Sequence, residues 1–381
     1  LGMDEIVSPT LSSADKAAFS GSMIDYNVRA ERMGWLPSAP QLQTHPMQVL
    51  KDAQTAGLDP KDYVVQSLKD GSLKLSCEDP DHPANWPRNM FVWRSNIIGS
   101  SGKGHEYFLK HLLGTDNGVQ GKDLGAEEGK PEEVVWHDKA PEGKLDLLVT
   151  LDFRMSTTCL YSDIVLPTAT WYENDLNTSD MHPFIHPLST AVDPVWQSKS
   201  DWEIYKGFAK KFSELCEGHL GIEKEIVLTP MQHDSPGELA QPFDVKDWKR
   251  GECELIPGKT APQIHVVERD YPNVYKRFTA VGPLLNKIGN GGKGISWDTK
   301  TEVTQLGQLS GVVLEPGVTQ GMPRILSDID ACEMVLQLAP ETNGHVAVKA
   351  WEALGKQTGR DHTHLALHRE DEKIRFRDIQ A

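Results

Sequence analysis

The stretch that most restricts the fold is LDLLVTLDFRMSTTCLYSDIVLPTATWYE, from Leu145 to Glu173. Leu145–Leu151 and Asp163–Leu166 are strand-length runs, nearly continuous in apolar residues, and the second is closed by Pro167. A strand with no polar face must be covered on both sides, which favours a parallel sheet flanked by helices. Ser156–Ser162 predicts a short helix between the two strands. Upstream, Met90–Ile98 (MFVWRSNII) predicts another β run. It leads into GSSGKGHEYFLKHLLG, a glycine loop and then a helix carrying Tyr107, Leu109, Leu112 and Leu113. The expected fold class is α/β: a doubly wound, mostly parallel sheet with helical and irregular insertions, its ligand held at the carboxyl ends of the strands.

At 381 residues the chain is long enough for more than one core. Residues 1–84 predict a helical and irregular lead-in, with helices at His45–Ala56 and Lys61–Leu68 broken by Pro37, Pro40, Pro60, Gly34 and Gly57. Residues 85–215 form the α/β region, interrupted by an acidic, glycine-rich excursion at Thr115–Pro131 and closed by a helical stripe after Trp202. Residues 216–328, rich in Gly and Pro with few long periods, suggest an irregular insertion or second lobe. Residues 329–381 carry helical stripes at Ile329–Leu338 and His345–Thr358, and end in KIRFRDIQA, which alternates like a strand. The open look of both ends suggests an interior piece of a longer protein.

Thirty-nine basic against 55 acidic side chains give a formal charge of −16. A field of that sign opposes nucleic acid and anionic lipid. A small-anion substrate would need a locally positive region. Cys77, Cys159, Cys216, Cys253 and Cys332 contain no CxxC, so neither a zinc site nor an iron–sulfur cluster is expected from them, and they read as buried thiols in a reducing compartment. No apolar run reaches the roughly 18–20 residues that span a bilayer, and no secretory signal is visible.

Motif by motif, little catalytic chemistry emerges. Gly99–Gly104 fails as a P-loop because position 97 is Ile and position 104 is Gly; Gly289–Gly294 (GNGGKG) fails because Lys287 stands in the first-glycine place. The first loop follows a strand, where backbone N–H groups suit a pyrophosphate, but a turn is an equal reading. His182 and His186 are separated by Pro183, and His362 and His364 have no accompanying carboxylate motif, so structural roles are expected for them. HExxH, a nucleophile elbow and GxGxxG are all absent.

One resemblance adds to this. Asp152, then Ser156 and Thr158, then SDIVLP and Glu173, with KSDWEIYKGFAKKF downstream at Lys199–Phe212, resembles the dimethyl sulfoxide reductase superfamily of molybdopterin oxidoreductases. DFRMSTTCLYSDIVLPTATWYE, NTSDMHPFIHPLSTAVDPVW, LIPGKTAP, IGNGGKGI, LAPETNGHVAVKAW and GRDHTHLAL look more narrowly like the alpha chains of membrane-bound nitrate reductases, across essentially the whole sequence.

That resemblance implies a molybdenum bis(molybdopterin guanine dinucleotide) cofactor. It also implies a 4Fe–4S cluster whose ligands, like the metal ligand, lie outside this segment, so no catalytic residue is expected here. Asp152 and Asp201 match the family's acidic cofactor contacts; from the residues alone, both also read as helix N-caps. Ser156 falls at a family Ser/Thr contact, and Asn174 stands where relatives often carry lysine. Ser95 and Asn96 match a segment that normally reads glycine, acidic residue, Asn, Pro, with Arg94 and Ile97 replacing its glycine and proline. Arg154 suits a phosphate or a structural ion pair. Implied partners are an iron–sulfur beta subunit and a haem-bearing membrane gamma subunit at the cytoplasmic face of the membrane. The implied reaction is quinol-driven reduction of nitrate to nitrite. Rival readings are a nitrite-oxidising or other oxyanion-handling relative, a non-catalytic scaffold, and a nucleotide module built on GSSGKG.

Overall fold

The computed structural model describes residues 23–36, 41–100, 105, 107–115, 131–135, 142–179, 184–231, 246–292 and 294–379. Lys103, His182, Lys293 and most of the acidic excursion lie outside them. The chain divides into two compact units. One holds Leu1–Thr150, Met155–Val165 and Glu223–Arg269; the other holds Leu151–Arg154, Leu166–Ile222 and Asp270–Ala381.

In the first unit, both predicted lead-in helices form, as Pro46–Ala56 and Pro60–Asp70. Each starts on a proline, whose missing N–H costs nothing in a first turn, behind a side-chain cap. His45 Nδ1 accepts from Met47 N–H and Asp59 Oδ1 from Lys61 N–H. Gly57 (φ 68°) and Gly71 (φ 78°) end them in the left-handed region, where a side chain would be strained. Val49, Leu50 and Ala53 on one helix and Val64 and Leu68 on the other bury the stripes that the spacing predicts. Their cluster includes Ile226, Leu228 and Ile264, from strands β6 (Ile222–Thr229) and β7 (Gln263–Asp270). Regular structure therefore also forms where the sequence shows few long periods.

A buried charge hub supports this unit. Arg32, fully buried, bonds Asp247, Glu78 at 3.1 Å and Glu133 at 2.9 Å, and Glu133 also takes Arg29 and Arg250. Burial alone would raise the Glu133 carboxyl, but the guanidiniums of Arg32, Arg29 and Arg250 outweigh it and hold it down to about 2.

Three strands, β1 (Asn89–Trp93), β2 (Leu147–Asp152) and β3 (Ile164–Pro167), form one sheet in that order. Leu147 N–H donates to the Arg88 carbonyl, so β1 and β2 start together. Asp163 N–H donates to Leu148 and Thr168 N–H to Asp152, so β2 and β3 advance together. These pairs make the sheet parallel, as expected of its apolar strands; β2 is buried at every residue after the first. The helix between β2 and β3 is Thr157–Leu160, capped by Ser156.

Three expectations need correction. The β run ends at Trp93 rather than Ile98, because Arg94 adopts φ 52° and turns the chain out of the sheet. Tyr107–Leu112 is a π-helix, with Leu113 N–H reaching back to Phe108; the carbonyls of His111 and Leu112 are taken by Lys144 and Leu145 as β2 is entered. The end of the sequence is not a strand: Phe376–Ile379 is a helical turn. Phe376 is fully buried with Cys332 and Leu336, and Glu333 Oε2 accepts the N–H groups of Phe376 and Arg377, which an extended chain would not present together.

The second unit centres on the helices Asp201–Cys216, Lys300–Ser310, Asp328–Leu338 and Gly344–Thr358. Val281, Val303, Met322 and Ile325 form one of its clusters, with Trp202 packed against it. Two short antiparallel pairs complete it: β4 (Leu176–Thr178) with β5 (His186–Leu188), and β8 (Asn290–Gly292) with β9 (Ile295–Trp297). The GNGGKG motif thus begins a hairpin.

Replacing Arg32 with Met leaves the buried Asp247 carboxylate without its guanidinium and takes one of three guanidiniums from Glu133. A loss of roughly 3–5 kcal/mol is expected in urea unfolding. Lys69→Met, which removes the exposed pair with Glu254, should cost no more than about 1 kcal/mol. Similar midpoint shifts for the two variants would refute a central role for the hub.

Candidate cofactor-binding site

The seven candidate residues fall into two groups. Ser95, Asn96 and Ser156 belong to the first unit; Asp152, Arg154, Asn174 and Asp201 belong to the second.

In the first group, Asn96 is a latch. Its Oδ1 accepts from Gly99 N–H (3.1 Å), Thr158 N–H (3.2 Å) and Thr158 Oγ1 (3.1 Å). Thr158 is fully buried, and its Oγ1 accepts in turn from Ile98 N–H. A Cβ at Gly99 would lie 2.5 Å from the Asn96 amide nitrogen and 2.6 Å from Thr157 Oγ1, so a side chain there would displace one or both of them. Asn96 therefore fixes the loop after β1 to the helix after β2. Ser156 is that helix's N-cap, accepting from Cys159 N–H, and Ser95 is half-buried beside the latch residue in sequence.

In the second group, Asp152 is the last residue of β2, 7% exposed, and its Oδ1 accepts from Arg154 N–H at 3.2 Å. Three chain segments line up beside it. Thr168 N–H donates to the Asp152 carbonyl, Ala169 N–H donates to the Lys199 carbonyl, and Thr168 and Lys199 form a parallel bridge. Asp201 follows two residues later as the first residue of its helix, behind the capping hydroxyl of Ser200. Neither Asp152 nor Asp201 is a helix cap: those positions are held by Ser156 and Ser200. Serine's short hydroxyl reaches the third N–H of its own helix, so neither carboxylate is spent on capping. Arg154 is exposed, its guanidinium 4.9 Å from the Phe153 ring centre.

Asn174 is 6% exposed, and its Oδ1 has no hydrogen-bond partner among the described residues; the same holds for the hydroxyl of Thr168, 3% exposed. Leaving such an atom unsatisfied costs roughly 1–3 kcal/mol; Asn85, Asn177 and Asn343 each keep a buried carbonyl oxygen in the same state. Asn174 was expected from sequence. Thr168, lying in the unspecified positions after SDIVLP, was not, since only the sheet shows its hydroxyl to be enclosed.

A further half-buried acid, Asp328, meets the residue that caps the Asp201 helix. Ser200 Oγ donates to Asp328 Oδ1 at 2.8 Å. Burial pushes the Asp328 carboxyl up to about 6; the Ser200 hydroxyl and Lys206 oppose this, and the charges of Glu203 and Asp175 add to it. Among the described residues no group of His, Cys, Asp and Glu is arranged to hold a metal ion. Cys332, expected as a plain buried thiol, is pushed up to about 12, first by burial and then by Asp328 and other nearby acids.

Comparison with known proteins places this geometry. Residues 27–211 match a family model described as molybdopterin oxidoreductase, and residues 288–381 match one described as nitrate reductase alpha chain, domain V. The chain belongs to the molybdopterin oxidoreductases. It is 66% identical over 380 residues to the respiratory nitrate reductase 1 alpha chain of Escherichia coli, a match covering 99% of this chain and 30% of that protein. Identity is 53% to the respiratory nitrate reductase alpha chain of a Bradyrhizobium species (99% and 32%) and 50% to the nitrate reductase alpha chain of Bacillus subtilis (94% and 30%). The chain thus spans about 30% of the length of these relatives. All seven candidates lie within the first matched family region.

Two expectations follow. In cofactor-free protein, Asn174→Leu removes an unsatisfied acceptor without opening space, so its melting temperature should hold or rise; a fall of several degrees would show that Asn174 already has an internal partner. The Asp328 carboxyl sits above its ordinary value of 3.8, so the protonated form favours folding. That contribution is complete below about pH 4 and is lost as pH rises through about 6. Asp328→Asn should flatten this part of the stability profile, and an unchanged profile would dismiss Asp328 as its source.

Proposed function

We propose that this chain supplies walls for the guanine-dinucleotide tails of a molybdenum bis-pterin cofactor in the catalytic subunit of a respiratory nitrate reductase, reducing nitrate to nitrite with electrons from quinol. The observation that carries the cofactor assignment is the pair of enclosed, unsatisfied atoms, Asn174 Oδ1 and Thr168 Oγ1, set on the same family-matched stretch as the Asp152 and Asp201 carboxylates.

A guanine edge presents adjacent N–H donors, and a carboxylate accepts two in parallel. Asp152 and Asp201 have that chemistry, and Asn174 Oδ1 offers a further acceptor where a lysine would have offered only donors. Arg154, exposed and held over Phe153, has the charge that a phosphate would take. Ser95, Asn96 and Ser156 act as positioning residues through the loop latch and the helix cap. Bound in this way, the molybdenum centre supplies oxygen-atom transfer, which the side chains of this chain do not themselves perform.

The rest of the reading extends the family resemblance of the sequence. Iron–sulfur beta and haem-bearing gamma subunits pass electrons to the alpha subunit, whose own 4Fe–4S cluster and metal ligand come from outside this sequence, and the complex holds it at the cytoplasmic face of the membrane. No helix among the described residues is long and apolar enough to cross a membrane, which agrees with attachment through partners. The parallel sheet belongs to a doubly wound domain spanning 85–215, followed by 216–328 as an insertion and 329–381 as a lead into a further domain.

Acid hydrolysis of the cofactor extracted from the full-length subunit should release two GMP per molybdenum. CMP in place of GMP would overturn the guanine assignment, and absence of both metal and pterin would leave only a scaffold role. Asp201→Asn and Asp152→Asn each remove a charged acceptor worth roughly 1.5–3 kcal/mol. Cofactor retention should fall roughly tenfold to a hundredfold, with nitrate turnover per remaining molybdenum preserved.

A further inference from the structure

Away from the candidate site, the second unit contains a cleft of about 450 Å³, within the size range of small-molecule sites. Its charged lining is mainly cationic in a chain whose formal charge is −16. Lys276 and Arg277 come from the short helix Val274–Phe278, and Arg324 from the segment bridged to Ala280.

The two guanidiniums are fixed in place. Arg277 pairs with Asp270 at 3.1 Å; Arg324 donates from Nε to the Val312 carbonyl at 2.9 Å and pairs with Glu315 at 3.3 Å. Lys276 has no ion pair among the described residues. Its charge nevertheless reaches the same rim. The Glu315 carboxyl is held below its ordinary range first by its own backbone N–H, against slight burial, and then by Arg324, the Leu314 N–H and Lys276. Asp270 is also held low: the side chain of Asn273 and the guanidinium of Arg277 outweigh its burial. Both acids are therefore ionised at neutral pH. Three cations against two carboxylates leave one positive charge, centred on Lys276. The lining also includes the apolar residues Val313, Pro316, Val318 and Leu326.

We propose that this cleft binds a small organic monoanion, its negative group on Lys276 and its apolar body against Val313, Pro316 and Val318. The single uncompensated charge selects one negative group: a dianion would leave a charge unmatched, and a neutral analogue would leave the lysine unmatched. The site is independent of the cofactor reading, because none of its residues is among the cofactor candidates.

The test is saturation-transfer NMR on the full-length subunit in its complex, with benzoate as probe, benzyl alcohol as its neutral counterpart and isophthalate as the dianion. Benzoate should receive saturation and the other two much less. Lys276→Met should weaken benzoate at least tenfold. Glu315→Gln, which frees the second charge, should strengthen benzoate severalfold and admit isophthalate. Both side chains are exposed, so unchanged melting temperatures should accompany these effects. The proposal is overturned if benzyl alcohol binds as well as benzoate, if Lys276→Met leaves benzoate binding unchanged, or if Glu315→Gln weakens it. It also fails if acidic peptides bind at Lys276 while benzoate does not.

Discussion

The hydrogen bond from Thr168 N–H to the Asp152 carbonyl is the constraint on which the candidate site rests. It carries the β2–β3 pairing one residue past the apolar part of β3, to where both strands reach polar text. β2, buried at every residue after its first, has nowhere along its length to keep a carboxylate, so the acid stands at the strand's end. There Asp152 turns its side chain back to the Arg154 N–H. Thr168 in turn bridges to Lys199, which places Asp201 just beyond the same edge. One run of main-chain pairing thus sets the starting points of two carboxylates that are 49 residues apart in sequence.

Two polar centres of the first unit have their partners within the chain: Arg32 meets three carboxylates, and the Asn96 oxygen takes three donors. Such groups hold loops in place, and their burial is stabilising only while every partner remains. In the second unit Asn174 and Thr168 keep buried atoms without partners. The same contrast separates the anion cleft from an ordinary surface: two of its cations are already matched, and one is not.

Much of this was legible in the sequence. Periodicity located the helices Pro46–Ala56, Pro60–Asp70, Asp328–Leu338 and Gly344–Thr358 to within a few residues, because each carries a one-sided apolar stripe and most have a readable cap or stop. The apolar runs of β2 and β3 announced a parallel sheet. The misreadings have local causes. MFVWRSNII stays apolar after Trp93, but its backbone turns at Arg94. The alternation in KIRFRDIQA suits a strand, but burying Phe376 beside Glu333 makes a helical turn the better solution.

From the sequence alone came the parallel α/β core, the family motif around Asp152, Asn174 and Asp201, and the absence of a readable metal-ligand set. These depend on residue type and spacing, which a linear text records in full. Tertiary structure decided which carboxylates are caps and which are not, that Thr168 is enclosed, that Asn96 is spent on holding a loop, and that Lys276 stands alone among paired arginines. Each of these turns on whether a polar atom meets a partner, and that partner lies far along the chain or in no part of it.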